Sequence, residues 1–124
     1  MKKTINVLIA DDHSLLRQGL KQILELEEDI SVVAQASDGN EAVMMAKLHK
    51  PDVILMDINM PDMDGITAIQ EIKKINEKIQ IIAVTGYDDP DLIFRAMKVG
   101  ARGYILKTMA ASQLVNAISE VIQG

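Results

Sequence analysis

Five short apolar runs alternate with five longer segments of helical period along this chain, and few folds accommodate that rhythm. The runs Ile5–Ala10, Ser31–Ala36, Val53–Met56, Ile79–Val84 and Gly103–Leu106 have the length and side chains of strands. In the first intervening segment Leu16, Leu20, Ile23 and Leu24 recur at i, i+4, i+7 and i+8, the spacing of one helix face. Asp38-Gly39-Asn40-Glu41 has the form of a capping box opening the second helix, with Asp standing in for Ser or Thr. Ile66, Ile69 and Ile72 stripe the third, with Ile75 continuing the stripe. Asp89-Pro90 reads as the N-cap and first residue of the fourth helix, and Gly100 as its stop. Leu114, Val115, Ile118 and Ile122 stripe the fifth, which is expected to end at Gly124.

Strict strand–helix alternation implies an α/β fold with a parallel sheet. Val7–Ala10, Val53–Met56 and Ile81–Val84 are almost continuously apolar, as strands covered on both faces must be. The other two runs are mixed and suit the edges. The resulting order, 2-1-3-4-5, is that of a flavodoxin-like (βα)5 fold, a five-stranded parallel sheet with helices on both faces. Right-handed crossovers then place helices one and five on one face and helices two, three and four on the other. The ligand crevice of such a sheet lies at the carboxyl ends of strands one and three, where the winding reverses. The 124 residues fit one domain, 1–124. With aromatics at 2%, the core must come from Ile, Leu, Val, Ala and the eight Met residues. Met44 and Met45 are adjacent, so both cannot face inward.

Composition removes several functions. A net charge of −5 argues against this segment gripping nucleic acid, which needs a basic face. No apolar run approaches the ~20 residues of a membrane span. The absence of Cys rules out disulfides and thiolate metal sites and suits a reducing compartment.

The topology gathers distant residues. Asp11 and Asp12 follow strand one, Asp57 ends strand three, Thr85 ends strand four and Lys107 ends strand five. Carboxylates crowded in one crevice repel at ~1 kcal/mol per pair at 4 Å in water, and more in a lower dielectric. A hard divalent cation relieves this, and Mg²⁺ typically takes one or two carboxylates and keeps positions for water and phosphate. There is no His pair at metal spacing, which disfavours Zn²⁺. Lys107 offers a mobile positive charge and Thr85 a hydroxyl, each suited to a phosphoryl oxygen. A carboxylate nucleophile, a metal, a cation and a hydroxyl are the parts of phosphoryl transfer. Taken singly, each residue has a plainer reading: Asp12 or Ser14 as a helix cap, Asp57 as a turn residue before Pro61, Lys107 as a solvated edge charge. The conjunction at four strand ends outweighs those readings.

Val7-Leu8-Ile9-Ala10-Asp11-Asp12-His13, Val53 to Gly65 with its Asp57…Pro61…Gly65 pattern, Ala83-Val84-Thr85, and Gly100 to Lys107 together resemble the receiver domain of two-component response regulators. The resemblance covers essentially the whole chain. Asp11-Asp12-His13-Ser14 with Leu16, Arg17 and Gly19 is most similar to the LuxR/NarL-type subfamily.

The resemblance implies Asp57 as phosphoacceptor, with Mg²⁺ bound by Asp12 and Asp57, by Asp11 directly or through water, and by the backbone carbonyl of Asn59. It implies that Thr85 and Lys107 bind phosphoryl oxygens, and that Tyr104 reorients when Thr85 moves. It also implies a sensor histidine kinase as partner at helix one, and an output and dimerisation surface on helix four, strand five and helix five. DNA would be met only through a C-terminal helix-turn-helix domain absent from this chain, and the location would be the cytoplasm with no membrane contact. Such a chain is not a conventional enzyme but catalyses its own phosphorylation and dephosphorylation. Tyr87 is expected to shield the acyl phosphate or to be a plain loop aromatic. One departure is Thr108 where many receivers have a proline after the lysine, often cis; a non-proline residue costs ~2.5–4 kcal/mol in that form.

Two other classes compete. A haloacid-dehalogenase-type phosphatase also uses an Asp nucleophile and Mg²⁺, but wants a second acid where Asn59 stands. A pseudo-receiver commonly loses an acid or the lysine, and none is lost here. His13 is expected in the loop before helix one near the site mouth, His49 at a helix end, and Arg102 as a solvated or interface charge.

Overall fold

A computed structural model describes residues 4–60, 63–86, 88–109 and 111–123. Its strands are β1 (Ile5–Ala10), β2 (Ile30–Ala36), β3 (Val53–Asp57), β4 (Gln80–Thr85) and β5 (Gly103–Leu106). Its helices are α1 (Ser14–Glu25), α2 (Gly39–His49), α3 (Gly65–Ile75), α4 (Pro90–Lys98) and α5 (Ala111–Gln123). The sheet is parallel, in the order β2-β1-β3-β4-β5. The continuously apolar runs are the central strands, as burial on both faces demands.

Three strand boundaries differ by one residue from the sequence reading. β2 begins at Ile30, β3 runs on to Asp57, and β4 is displaced forward to Thr85. Asp57 stays in the ladder because it is in register with Val84, whose carbonyl also accepts from the Ile58 N–H.

Alternation along the strands divides the core in two. Leu8, Ile54, Met56, Ile81 and Ala83 pack beneath α2, α3 and α4, against Ala42, Ala46, Ile69, Ile72 and Ala96. Val7, Ile9, Leu55, Ile82, Val84 and Ile105 pack beneath α1 and α5, against Leu24, Leu114, Ile118 and Val121. This is the helix distribution that right-handed crossovers require.

The helix ends follow their capping residues. Asp38 Oδ1 accepts from the Glu41 N–H, while Glu41 Oε1 reaches back to the Ser37 N–H, one residue beyond a standard capping box. Asp89 caps α4, with Pro90 as its first residue. After α4, Gly100 has φ +130°, and a Cβ there would stand 2.9 Å from Lys73 Cγ. α1 departs from expectation: its N-cap is His13, with no side-chain capping bond, rather than Asp12 or Ser14. His49 lies in the last turn of α2 and Arg102 is exposed, while Met44 is exposed beside the partly buried Met45.

Two helix stripes are corrected. Ile75 is 42% exposed, and on α5 Val121 is buried where Ile122 is 40% exposed. Each residue turns an α-helix by about 100°, so three successive steps of three carry Ile75 to the side opposite Ile66. By the same count Val121 falls within about 20° of Leu114 and Ile122 about 80° away.

Gly19, within α1, has no neighbouring atom within 4 Å of where a Cβ would stand. Gly19→Ala should therefore raise stability by about 0.5–1 kcal/mol, the cost of glycine in a helix interior. The urea midpoint measures it.

Candidate functional site

Strand parity brings the key groups together. Ala10 pairs with Met56, so Asp11 stands level with Asp57 on the neighbouring strand. Asp57 pairs with Val84, and Thr85 with Leu106. Continuing the alternation, Asp11, Asp57 and Lys107 fall on the α1/α5 face of the sheet's carboxyl edge. Lys107 Nζ accordingly lies 3.1 Å from Asp57 Oδ2 and 3.2 Å from Asp11 Oδ2.

Each of the two acids also folds its own loop. Asp11 Oδ1 accepts from the His13 N–H at 2.8 Å, and Asp57 Oδ1 from the Asn59 N–H at 2.9 Å. Both are Asx turns, in which a short side chain replaces a backbone turn acceptor. The Arg17 guanidinium donates to the Asp11 carbonyl and ties α1 to this loop. Gly65 opens α3 against the acceptor strand: a Cβ there would stand 2.2 Å from the Asp57 carbonyl oxygen and 2.5 Å from Ile58 Cα. Only glycine permits that approach.

Asp57, Asp11 and Thr85 are the buried polar residues of the described chain. Asp57 has no solvent exposure, and Lys107, with 19% of its side chain exposed, covers it. Burial pushes the Asp57 carboxyl above the ordinary 3.8, the Asn59 N–H pulls it back, the Asp11 charge pushes it up again, and Lys107 pulls it down; the net is upward. Burial lowers the Lys107 pKa, but its hydrogen bond to Asp57 and the charges of Asp57 and Asp11 outweigh that, holding it above the ordinary lysine value. Asp11 Oδ2 is buried and, although ion-paired with Lys107, has no hydrogen-bond donor aimed at it. Such an oxygen is open to a cation that takes the place of the lysine.

Lys107→Met should therefore drive the Asp57 pKa further up, because it removes both influences of the lysine that lower it. Carboxyl ¹³C shifts followed against pH in metal-free buffer measure the change.

Asp12 is more open than Asp11, with 31% of its side chain exposed. Thr85 is fully buried at the end of β4, and its carbonyl accepts from the Lys107 N–H at 2.8 Å. By parity Thr85 lies on the opposite, α4 face of the sheet. Tyr104 shares that face on the adjacent strand, opposite Ala83 and 47% exposed. The described residues contain no cis peptide, and the chain turns after Lys107 with the Met109 N–H bonded to the Leu106 carbonyl. Tyr87 and Pro61 lie outside the described residues.

The sequence reading left out one member of this cluster. His13 Nδ1 lies 3.0 Å from Asp11 Oδ1 and 3.2 Å from Asp12 Oδ1. Asp11, Asp12, His13 and Asp57 each offer a ligand atom, all within 4.8 Å of one another. The available signal was the Asp-Asp-His run itself, since an Asx turn at Asp11 folds the residue two positions on back over the carboxylate.

The response regulator receiver domain, as a family, matches residues 7–119. The transcriptional regulatory protein DegU of Brevibacillus brevis is 40% identical over 120 residues, which are 97% of this chain and 51% of DegU. The signal receiver domain of the response regulator NarL from Mycobacterium tuberculosis superposes with a TM-score of 0.94 at 31% identity, covering 98% of each chain. A chain of the CheX–CheY–BeF3–Mg+2 complex from Borrelia burgdorferi superposes with a TM-score of 0.89 at 30% identity, covering 96% of this chain and 90% of that one. The chain spans about half the length of the curated relatives it matches. Among the described residues, no helix is long and apolar enough to cross a membrane.

Proposed function

This chain belongs to the response regulator receiver domains, and on that footing we propose that Asp57 takes a phosphoryl group from a phosphohistidine of a sensor histidine kinase. The observation that carries the reading is the buried Asp57–Asp11 pair held by Lys107 at 3.1 and 3.2 Å. In the transfer an Asp57 carboxylate oxygen bonds to phosphorus as the N–P bond breaks. The electron pair leaves on the donor imidazole, and the product is an aspartyl phosphate. Lys107 moves with the charge onto a phosphoryl oxygen, and the Thr85 hydroxyl donates to another.

The residues present fit Mg²⁺: three carboxylates within ligand reach, and a buried Asp11 oxygen that now faces the Lys107 cation. Asp12 and Asp57, Asp11 directly or through water, and the Asn59 carbonyl would hold it. When bound, Mg²⁺ supplies charge neutralisation at the phosphoryl oxygens. The Borrelia complex, named for BeF3 and Mg+2, supports both assignments.

Thr85 and Tyr104 form the switch. They lie on one face of adjacent strands, so Thr85 drawn toward phosphate vacates space into which Tyr104 can turn. That rotation reshapes the α4–β5–α5 surface, the side for output and homodimerisation. The output is control of transcription, as in DegU, through a DNA-binding domain C-terminal to the receiver unit 1–124, in the cytoplasm.

Acetyl phosphate and Mg²⁺, followed by intact mass, test the proposal. One labile phosphoryl adduct per chain is expected. Sustained turnover without an adduct would favour a phosphatase, and no adduct at all a binding module.

A further inference from the structure

His13 is the one member of the four-residue cluster without a role in that reading. We propose that its Nδ1 adds a nitrogen ligand to the Asp11, Asp12 and Asp57 carboxylates, giving the site a second metal mode that takes a late first-row divalent cation such as Zn²⁺ in competition with Mg²⁺. The proposal rests on the part of the preceding reading that makes these three aspartates metal ligands.

Two ligand atoms, each about 2.0–2.1 Å from one tetrahedral ion, stand roughly 3.3 Å apart. His13 Nδ1 is already 3.0 Å from Asp11 Oδ1 and 3.2 Å from Asp12 Oδ1, so little rearrangement separates the present ring from a ligating one. A positive centre also stands among these groups now. Lys107 Nζ is 3.1 Å from Asp57 Oδ2, 3.2 Å from Asp11 Oδ2 and 3.4 Å from His13 Nδ1. The ammonium marks where a cation is wanted, and the buried Asp11 Oδ2 faces it at 3.2 Å. The backbone that carries the ring is fixed, because His13 is the N-cap of α1 and its N–H is bonded to Asp11 Oδ1.

The ligand set decides the ion. Mg²⁺ takes oxygen and gains little from imidazole, whereas nitrogen favours the late first-row metals. To ligate, Nδ1 gives up any proton it shares with the two carboxylates and the ring keeps its proton on Nε2, on a side chain 65% exposed and so able to bond to solvent. Four protein ligands close the coordination of Zn²⁺ and leave no position for a phosphoryl oxygen. The second mode therefore blocks the phosphoryl site.

Calorimetric titration of the chain with ZnCl2, and separately with MgCl2, tests this in the parent, His13→Ala and His49→Ala proteins. Zn²⁺ should bind the parent at least about tenfold more tightly than Mg²⁺, and His13→Ala should weaken Zn²⁺ by about tenfold or more while leaving Mg²⁺ nearly unchanged. His49→Ala, at the exposed end of α2, should change neither. Zn²⁺ affinity retained in His13→Ala, or Zn²⁺ and Mg²⁺ weakened in parallel, overturns the proposal. A chain that binds Mg²⁺ and accepts phosphate but whose Zn²⁺ affinity is the same with and without His13 defeats this inference alone; one that binds neither ion defeats the shared metal reading as well.

Discussion

An Asp57→Asn chain incubated with acetyl phosphate and Mg²⁺ should show no phosphoryl adduct by intact mass, where the parent shows one. Asn keeps the shape of the side chain and can still accept the Asn59 N–H, so the loop should hold. It loses the anion that attacks phosphorus, and no neighbouring group replaces it: Asp11 is buried on β1's end with Lys107 and His13 drawn onto it. The same variant should be more stable than the parent in metal-free buffer. The folded chain holds the Asp57 pKa above 3.8, so its charged form costs stability at pH values above that raised pKa. The cost fades as pH falls through the folded pKa toward 3.8, because the folded state then binds the proton more tightly than the unfolded one. Urea midpoints of the two proteins should differ at neutral pH and converge on acidification. A parent protein more stable than the variant at neutral pH would mean that the Lys107 pairing outweighs burial.

Gly65→Ala should be among the most damaging single methyls that the described residues could gain. Its Cβ would meet the Asp57 carbonyl oxygen at 2.2 Å and Ile58 Cα at 2.5 Å, both backbone atoms that cannot rotate aside. Overpacking of this kind costs ~1–3 kcal/mol, and rigid neighbours put it at the upper end. Relief comes only by shifting α3 or the end of β3, so adduct formation should fall along with stability. Equilibrium urea unfolding and the acetyl phosphate assay read the two losses. Beside the gain expected for Gly19→Ala, the pair separates a glycine required by space from one that is merely tolerated. Normal stability and normal uptake in Gly65→Ala would show that α3 yields freely.

Much of this was legible in the residues. Strand order followed from which runs lack polar residues, since only central strands of a parallel sheet are covered on both sides. The meeting of Asp11, Asp57 and Lys107 followed from their places at strand ends. What escaped was angular and local. Ile75 and Ile122 looked like core members because apolar residues recur near the right spacing, yet small errors per step accumulate around a helix. The part played by His13 depends on an Asx turn whose existence is suggested, but not fixed, by the Asp11-Asp12-His13 run. The close approach behind Gly65 is invisible until α3 is set against β3, because its φ is not positive and any residue could adopt the backbone.

With Asp57 closed off from the surface and an ammonium 3.1 Å from one of its oxygens, a phosphorus atom cannot come into line with the carboxylate as it stands. The lysine has to swing out first. At high donor concentration the speed of labelling should then level off at the frequency of that excursion, so the resting pocket works as a latch that paces its own charging.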